Sequence, residues 1–494
     1  MRSSFAIALH DVASLRMIER EAASALPPGT LMTRAGEAAS RWIIGRHPLA
    51  RCIRIWCGPG NNGGDGYACA LALRARGRDA HCIAAAEPVT DDARQAAQRW
   101  TAAGGATLPP VRANTAPPPD LVVDALFGIG LARPLAPPWS DWVDAINRSA
   151  VPVLALDMPS GLDADRGVWI GGQSGIHASA TVSFLGGKPG LFTADGVDAC
   201  GQVVIDDLGI TLPPSHTQLN APDQFSALSA PRVRNSHKGR FGDVRVIGGA
   251  AGMCGAALLA GRAALRLGAG RVHVDLLDPA LGVDPQAPEL MLRNQPHGDL
   301  PASTAVVGCG LGVDAAGRAA LMAALARAEP CVIDADGLTL IASDPQVRAM
   351  ARSRVTGATT LTPHPLEAAR LLGVRGADVQ ADRLQAARAL AREFNAWIVL
   401  KGAGTIISGE GRTWINPTGS AALATAGSGD VLAGMIGALL AQGLDARCAT
   451  LGAVWLHGTA ADDYGADVGL VADEIAPRAA AALARLRRAS GTPS

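Results

Sequence analysis

Short apolar runs rich in β-branched residues alternate with helical stretches along almost the whole chain. In the first half these runs are RCIRIWC (51–57), DLVVDALFG (120–128), VPVLALDMPSG (151–161), ATVSFLG (180–186) and QVVIDDLG (202–209). Between them, residues 91–105 have the composition of a helix. Continuous apolar strands separated by helices predict a mostly parallel sheet covered on both faces. The polar residues of these runs fall at the carboxyl ends of the strands, where open α/β sheets place their ligands. From 211 to 238 the periodicity lapses. It restarts with FGDVRVIGGAAG (241–252), RVHVDLLD (271–278), TAVVGCGLG (304–312), PCVIDADG (330–337), TTLTPHPLE (359–367) and AWIVLKGAGTII (396–407), and ends in a long Gly- and Ala-rich helical region. Two α/β domains are therefore expected, 1–215 and 225–494, alike in class but without a detectable repeat.

A length of 494 residues agrees with two cores. With 48% apolar and 18% charged residues the composition is that of a folded chain, turn-rich because of 58 Gly and 32 Pro. Lys+Arg and Asp+Glu balance at 44 each. A nucleic-acid partner normally calls for a basic excess or stripe, so none is expected. A local anion site stays open, since backbone N–H groups need no basic residue. None of the nine cysteines forms a Cys-x-x-Cys pair, and Cys52, Cys57, Cys309 and Cys331 sit in apolar runs. The reading is reduced, non-catalytic thiols in a cytoplasmic protein. The first twenty residues lack a small-residue cleavage site, and no stretch approaches ~18 uninterrupted apolar residues. Neither a signal peptide nor a membrane partner is expected; a homo-oligomer is compatible with the sequence.

Chemistry enters with CGPGNNGGDGYACA (57–70). The segment has no G-x-x-x-x-G-K-[ST] and no ordinary dinucleotide G-x-G-x-x-G spacing, so it is not a nucleotide-hydrolysing P-loop. It reads as a glycine loop whose backbone approaches a ligand and reaches positive φ, followed by a helix over 66–76 with free N–H groups. Asn62 adds an amide oxygen that can coordinate a cation. Asp124 ends LVVD, and Asp157 and Ser160 end VLALDMPSG. Three adjacent parallel strands would gather Asn62, Asp124 and Ser160 around a hard cation, with Asp157 beside them as acid or base. Taken singly, Asn61, Asn62 and Asp65 read equally well as Asx turns and caps. Three polar strand ends in one domain favour a site.

These residues, with VDALFGIG (123–130), FLGGKPGLF (184–192) and LMTRAGEAAS (31–40), resemble the YjeF N-terminal family, epimerases of hydrated NADH and NADPH. The resemblance covers roughly 10–210. It implies a Rossmann-like three-layer domain, a bound potassium ion and interconversion of the R and S hydrates at C6 of the nicotinamide. It assigns potassium to Asn62, Asp124 and Ser160. It assigns substrate contact to Asn61, Asn62, Gly63, Gly64, Asp65 and Asp157, and to the loop Gly128, Ile129, Gly130, Leu131, Ala132, Arg133 and Pro134. Asp157 is the expected acid/base. Ile129 departs from a pattern with a small hydroxyl residue there, which puts one substrate contact in doubt. The epimerisation itself needs either loss of the hydroxyl or ring opening with a placed carboxylate, and the residues do not choose between them.

In the second half, Gly427 and Gly429 of TAGSGDVLAGMIGALL make a tight turn into an apolar helix carrying Val431, Gly434, Met435 and Leu439 at helical spacing. Asp430 in its first turn is a cap or, beside a phosphate cradle, a base for a hydroxyl proton. KGAGT (401–405), TPHPLE (362–367), GLG (310–312) and HKGRFG (237–242) add further loops. Together they resemble the ribokinase-like ADP- or ATP-dependent NAD(P)H-hydrate dehydratases over about 235–485. That resemblance implies phosphorylation of the hydrate's hydroxyl, ADP ahead of ATP, followed by loss of phosphate, with magnesium present. It makes Asp430 the catalytic base and a substrate contact. It places Lys401, Gly402, Ala403, Gly404, Thr405 and Gly429 on the nucleotide and Gly310, His364 and Ala256 on the hydrate. Ser420 departs from the usual T-G-N. His364 alone would be a turn histidine, His237 and Lys238 are balanced between contact and linker, and His457 reads as a packed core histidine. Cys309 reads as packing, with no base placed near it.

The joined reading is metabolite repair of hydrated NADH (NADHX) and NADPH (NADPHX) by an isomerase fused to a lyase. The alternative is a small-metabolite kinase fused to a non-catalytic nucleotide- or RNA-binding module.

Overall fold

The computed structural model describes residues 6–110, 118–279, 281–293 and 304–490. The chain forms two compact units, Ala8–Ser215 and His216–Ser494, with Ala6 and Ile7 grouping with the latter. The boundary between the units falls after Ser215, inside the segment 211–238. Thr217–Leu219 is an edge strand of the second unit and Pro222–Ser229 a 3-10 turn packed against its helices.

In the first unit seven parallel strands are β1 (Cys52–Cys57), β2 (Asp79–Ile83), β3 (Thr107–Leu108), β4 (Leu121–Ala125), β5 (Val153–Leu156), β6 (Ala180–Phe184) and β7 (Gln202–Asp206). Their order is β3-β2-β1-β4-β5-β6-β7. Every residue of β4, β5 and β6 is buried, as a sheet covered on both faces demands. The order reverses between β1 and β4, so the cleft at their carboxyl ends is the topological switch point.

The NNGGDG segment is not a loop. Helix Asn61–Ala75 begins at its first asparagine, after the Gly58-Pro59-Gly60 turn. None of Gly58, Gly60, Gly63, Gly64 or Gly66 has positive φ. Close packing leaves no room for a Cβ at most of them: one on Gly63 would lie 1.8 Å from the Gly58 carbonyl oxygen, and one on Gly66 would lie 2.7 Å from the Ala125 side chain, whereas Gly60 faces open space. The helix thus lies close on the sheet with its first turn over the switch point.

The second unit pairs β8 (Thr217–Leu219), β9 (Asp243–Gly248), β10 (Arg271–Leu276), β11 (Met291–Arg293), β12 (Thr304–Val307), β13 (Cys331–Ile333), β14 (Thr359–Leu361), β15 (Trp397–Leu400), β16 (Ile406–Gly409) and β17 (Arg412–Ile415). The order is β8-β17-β16-β15-β14-β13-β12-β9-β10-β11, with β15-β16-β17 antiparallel and the rest parallel. Helix Ser428–Ala441 is buried from Val431 to Ala441. Gly434 lets it cross Cys254–Arg266 so closely that a Cβ would meet the Ala260 carbonyl oxygen at 2.1 Å. Among the described residues no helix is long and apolar enough to cross a membrane.

Candidate functional site

A cavity of about 650 Å³ opens at the switch point of the first unit. Asn61, Asn62 and Asp65 line it from the helix, Gly128 to Leu131 from the loop after β4, and Asp157 from the end of β5. Gly63 and Gly64 point instead into packing, and Ala132, Arg133 and Pro134 do not line it. Asn61 is held by the Thr90 hydroxyl, which donates to its Oδ1 at 2.6 Å.

Behind the wall Asp124 is fully buried. Its Oδ1 accepts from the Ser160 hydroxyl at 2.7 Å and from the Leu126 amide at 3.1 Å; its Oδ2 accepts from the Ser160 amide at 2.8 Å. Burial pushes this carboxyl up to about 6, against those hydrogen bonds. Asn62 is buried too, yet both atoms of its amide lack a partner. An orphaned buried amide calls for an unseen group. Asn62, Asp124 and Ser160 together offer oxygens of the kind a hard cation takes.

Asp157 sits at φ 64, in left-handed backbone that turns its carboxylate into the cavity. Lys188, almost fully buried, donates to its Oδ1 at 2.5 Å, to Ser183 Oγ at 2.7 Å and to the Phe184 carbonyl at 3.0 Å. The Ile129 amide donates to its Oδ2 at 3.1 Å, so the unusual residue of that loop reaches Asp157 through its backbone. A side chain on Gly128 would meet Asp157 Oδ2 at 2.5 Å. Lys188 was visible in the sequence only as part of FLGGKPGLF; its role depends on β5 and β6 being neighbours.

In the second unit Asp430 lies in the first turn of helix Ser428–Ala441, after Gly427 at φ 87. Burial pushes its carboxyl up to about 6, while a hydrogen bond from Cys309 pulls the other way. Cys309 Sγ and carboxylate oxygens of Asp334 and Asp430 all come within 4.8 Å of one another. Acids therefore do stand beside Cys309, contrary to the sequence expectation, although the fully buried thiol is pushed far up by burial and is no nucleophile. Lys401 Nζ donates to Asp334 Oδ1 at 2.7 Å and stands 4.0 Å from Glu367 Oε2. Burial pulls the ammonium down, but the two carboxylates outweigh it and raise it. Gly429 leaves room for this lysine, since a Cβ there would be 3.1 Å from Nζ. Asp334 follows β13 inside PCVIDADG and was not singled out from the sequence.

Gly310 has φ 60, and a Cβ there would lie 2.5 Å from the Met253 carbonyl oxygen and 3.3 Å from the Ala256 side chain, so two expected hydrate contacts are neighbours. His364 caps helix Pro365–Leu372: its Nδ1 accepts from the Leu366 and Glu367 amides, and Glu367 accepts from the His364 amide. The ring is half exposed, and its Nε2 stands 3.5 Å from Glu367 Oε1. Gly402 and Gly404 have φ 135 and 59, and the Thr405 hydroxyl donates to the Gly402 carbonyl at 3.0 Å, closing the loop that contains Ala403. His457 is a core histidine: its Nε2 bonds the Ser428 carbonyl at 3.0 Å, and burial pulls it down to about 4.

Two family models match the two units. One described as YjeF-related protein N-terminus covers residues 28–190, and one described as NAD(P)H-hydrate dehydratase covers 244–480. A bifunctional NAD(P)H-hydrate repair enzyme of Escherichia coli is 39% identical over 479 residues, spanning 92% of this chain and 89% of its own. The chain belongs to the bifunctional NAD(P)H-hydrate repair enzymes. Another such enzyme, from Coxiella burnetii, is 36% identical over 95% of this chain and 98% of its own. A solved ADP/ATP-dependent NAD(P)H-hydrate dehydratase of Bacillus subtilis is 30% identical with a TM-score of 0.49, covering 54% of this chain and 98% of that one. In this repair enzyme the Rossmann-like and ribokinase-like units each carry a candidate site, one lining a cavity and one around Cys309, Asp334 and Asp430.

Proposed function

We propose that the two sites divide one repair: the first unit epimerises hydrated NADH and NADPH at C6, and the second converts the S hydrate back to the dihydronicotinamide with ADP or ATP. The observation that carries this is the pair of separate carboxylate centres. Asp157 is set against a buried lysine in one unit, and Asp430 beside the Lys401–Asp334 pair in the other.

In the first unit Asp157 exchanges the proton of the C6 hydroxyl. Asn62, Asp124 and Ser160 would hold potassium, a reading supported by the orphaned Asn62 amide and by the lone pair that Asp124 Oδ2 has left to offer. When bound, potassium would supply a fixed positive charge at this site. In the second unit Asp430 takes the proton of the hydrate's hydroxyl as the terminal phosphoryl group arrives. The C6–O bond to phosphate then breaks with loss of the C5 proton, restoring the double bond. Its carboxyl, held near 6, is ionised at neutral pH yet basic enough for that task. The glycine-rich Lys401–Thr405 loop and Gly429 approach the nucleotide, while Gly310, Ala256 and the Nε2 edge of His364 face the hydrate. Magnesium arrives on the nucleotide phosphates.

The test supplies each purified hydrate epimer with magnesium and ADP or ATP, and follows both epimers and the return of dihydronicotinamide absorbance. Asp430→Asn should stop regeneration and spare epimerisation; Asp157→Asn should strand the R hydrate and spare regeneration from S. Equal loss of both activities in either variant contradicts separate sites. Replacing potassium by a larger organic cation should weaken epimerisation alone.

A further inference from the structure

The cavity of the first unit holds more acid than one acid/base residue requires. Asp157 is fully committed on the protein side, with Lys188 on one oxygen and the Ile129 amide on the other. Asp65 enters the same cavity from helix Asn61–Ala75, and Glu19 enters from helix Val12–Ala25. The charged groups acting on Asp65 are Asp157, Glu19 and Asp92, with the already paired Lys188 as the cation among them. Arg16 lies at the exposed rim, and helix Thr30–Arg46 presents only uncharged residues such as Leu31, Met32 and Ala35 to the cavity. One carboxylate is thus salt-bridged and the other surrounded by like charge in a desolvated wall. Two carboxyls in one site with opposed environments mark an ionised base and a protonated acid.

The two carboxylates reach the cavity from different elements, Asp65 from helix Asn61–Ala75 after β1 and Asp157 from the end of β5. The cavity of about 650 Å³ leaves space for a six-membered ring between them. Epimerisation through loss and return of water needs an acid and a base on opposite faces of that ring. A proton goes to the departing hydroxyl, the C6–O bond breaks, and the N1 lone pair forms N1=C6. Water then adds to C6 on the other face, gives its second proton to a base, and the pair returns to N1. One acid and one base facing opposite sides of the ring balance the step, and solvent resets the proton.

We propose that Asp65, with Glu19 beside it, is the acid that protonates the departing C6 hydroxyl, and that Asp157 is the base on the opposite face. This rests on the epimerase reading of the first unit and names a catalytic partner that reading does not contain. Burial and the neighbouring carboxylates push the Asp65 carboxyl far above its usual range, and burial raises Glu19 as well.

The experiment uses the whole chain with purified R hydrate, magnesium and ADP, and the S hydrate as internal control. Asp65→Asn should lower kcat for epimerisation about 100-fold or more with KM changed less than about three-fold, while regeneration from S stays at the wild-type rate. The alkaline fall in wild-type kcat, where the acid loses its proton, should vanish in this variant. Glu19→Gln removes one of the like charges and should move that alkaline limb to lower pH. Asp65→Glu should recover part of the rate, and with Glu19→Gln it carries the test if Asp65→Asn does not fold. An Asp65→Asn chain that keeps more than about a tenth of kcat overturns the proposal, as does an alkaline limb unmoved by Glu19→Gln. A wild-type chain that regenerates from S but never interconverts the epimers overturns the epimerase reading itself.

Discussion

Replacing Lys188 by Met tests whether the buried ammonium is what makes an ionised Asp157 tolerable. Lys188 is 1% exposed and the Asp157 side chain 14%, with 2.5 Å between Nζ and Oδ1. At that separation and an effective dielectric of about 20, the attraction is about 7 kcal/mol before desolvation is counted. Desolvation cancels much of it, but removing one partner from a buried pair leaves an uncompensated charge and costs about 3–5 kcal/mol. For a unit of this size that lowers the midpoint by roughly 6–20 °C. Calorimetry of the whole chain reads it as a lowered midpoint. The decisive comparison is with Lys188→Met/Asp157→Asn, which removes the stranded charge and should be more stable than Lys188→Met alone. A single variant within about 1 kcal/mol of wild type, or a double variant losing the sum of the two singles, would refute the argument.

Three further outcomes follow from the same structure. The rate of dehydration should fall as pH drops through about 6, because Asp430 must be ionised to accept a proton; a pH profile from 5 to 8 checks this. His457 stays neutral in the fold down to about 4 but titrates near 6.5 once unfolded, so the unfolded state binds the extra proton and stability drops as pH falls between those values. His457→Gln should remove about 2 kcal/mol of that acid sensitivity, read from urea midpoints at pH 7 and 4.5. Gly63→Ala puts a methyl group 1.8 Å from the Gly58 carbonyl oxygen and should cost at least ~1–3 kcal/mol, seen as a lowered midpoint for the first unit alone.

The strands were legible because they are buried on both faces, so each is written as an uninterrupted apolar run. Short or exposed ones, such as Thr107–Leu108, Met291–Arg293 and Arg412–Ile415, carry no such signature. NNGGDG misled in a specific way. Two asparagines, an acid and three glycines have poor helix propensity, yet they form the first two turns of a helix, and close contact with Gly58, Met32 and Ala125 leaves no room for a Cβ at the three glycines. The residues missed in both sites share another property. Lys188, Asp334 and Glu19 reach their sites through strand order or helix packing, and nothing in the adjacent sequence distinguishes them from ordinary polar residues. Asn62, Asp124, Ser160 and Asp430 stood out in the sequence because each lies at the end of a strand run or the start of a helix run.

The close crossing at Gly434 has a kinetic meaning. A helix buried from Val431 to Ala441 and locked to Ala260 by backbone contact will exchange its amide hydrogens only when the whole unit opens. Asp430 is carried on the first turn of that helix, so its position is as durable as the fold itself. Whatever breathing admits nucleotide and releases product must come from the surrounding segments, and the carboxylate waits for them without moving.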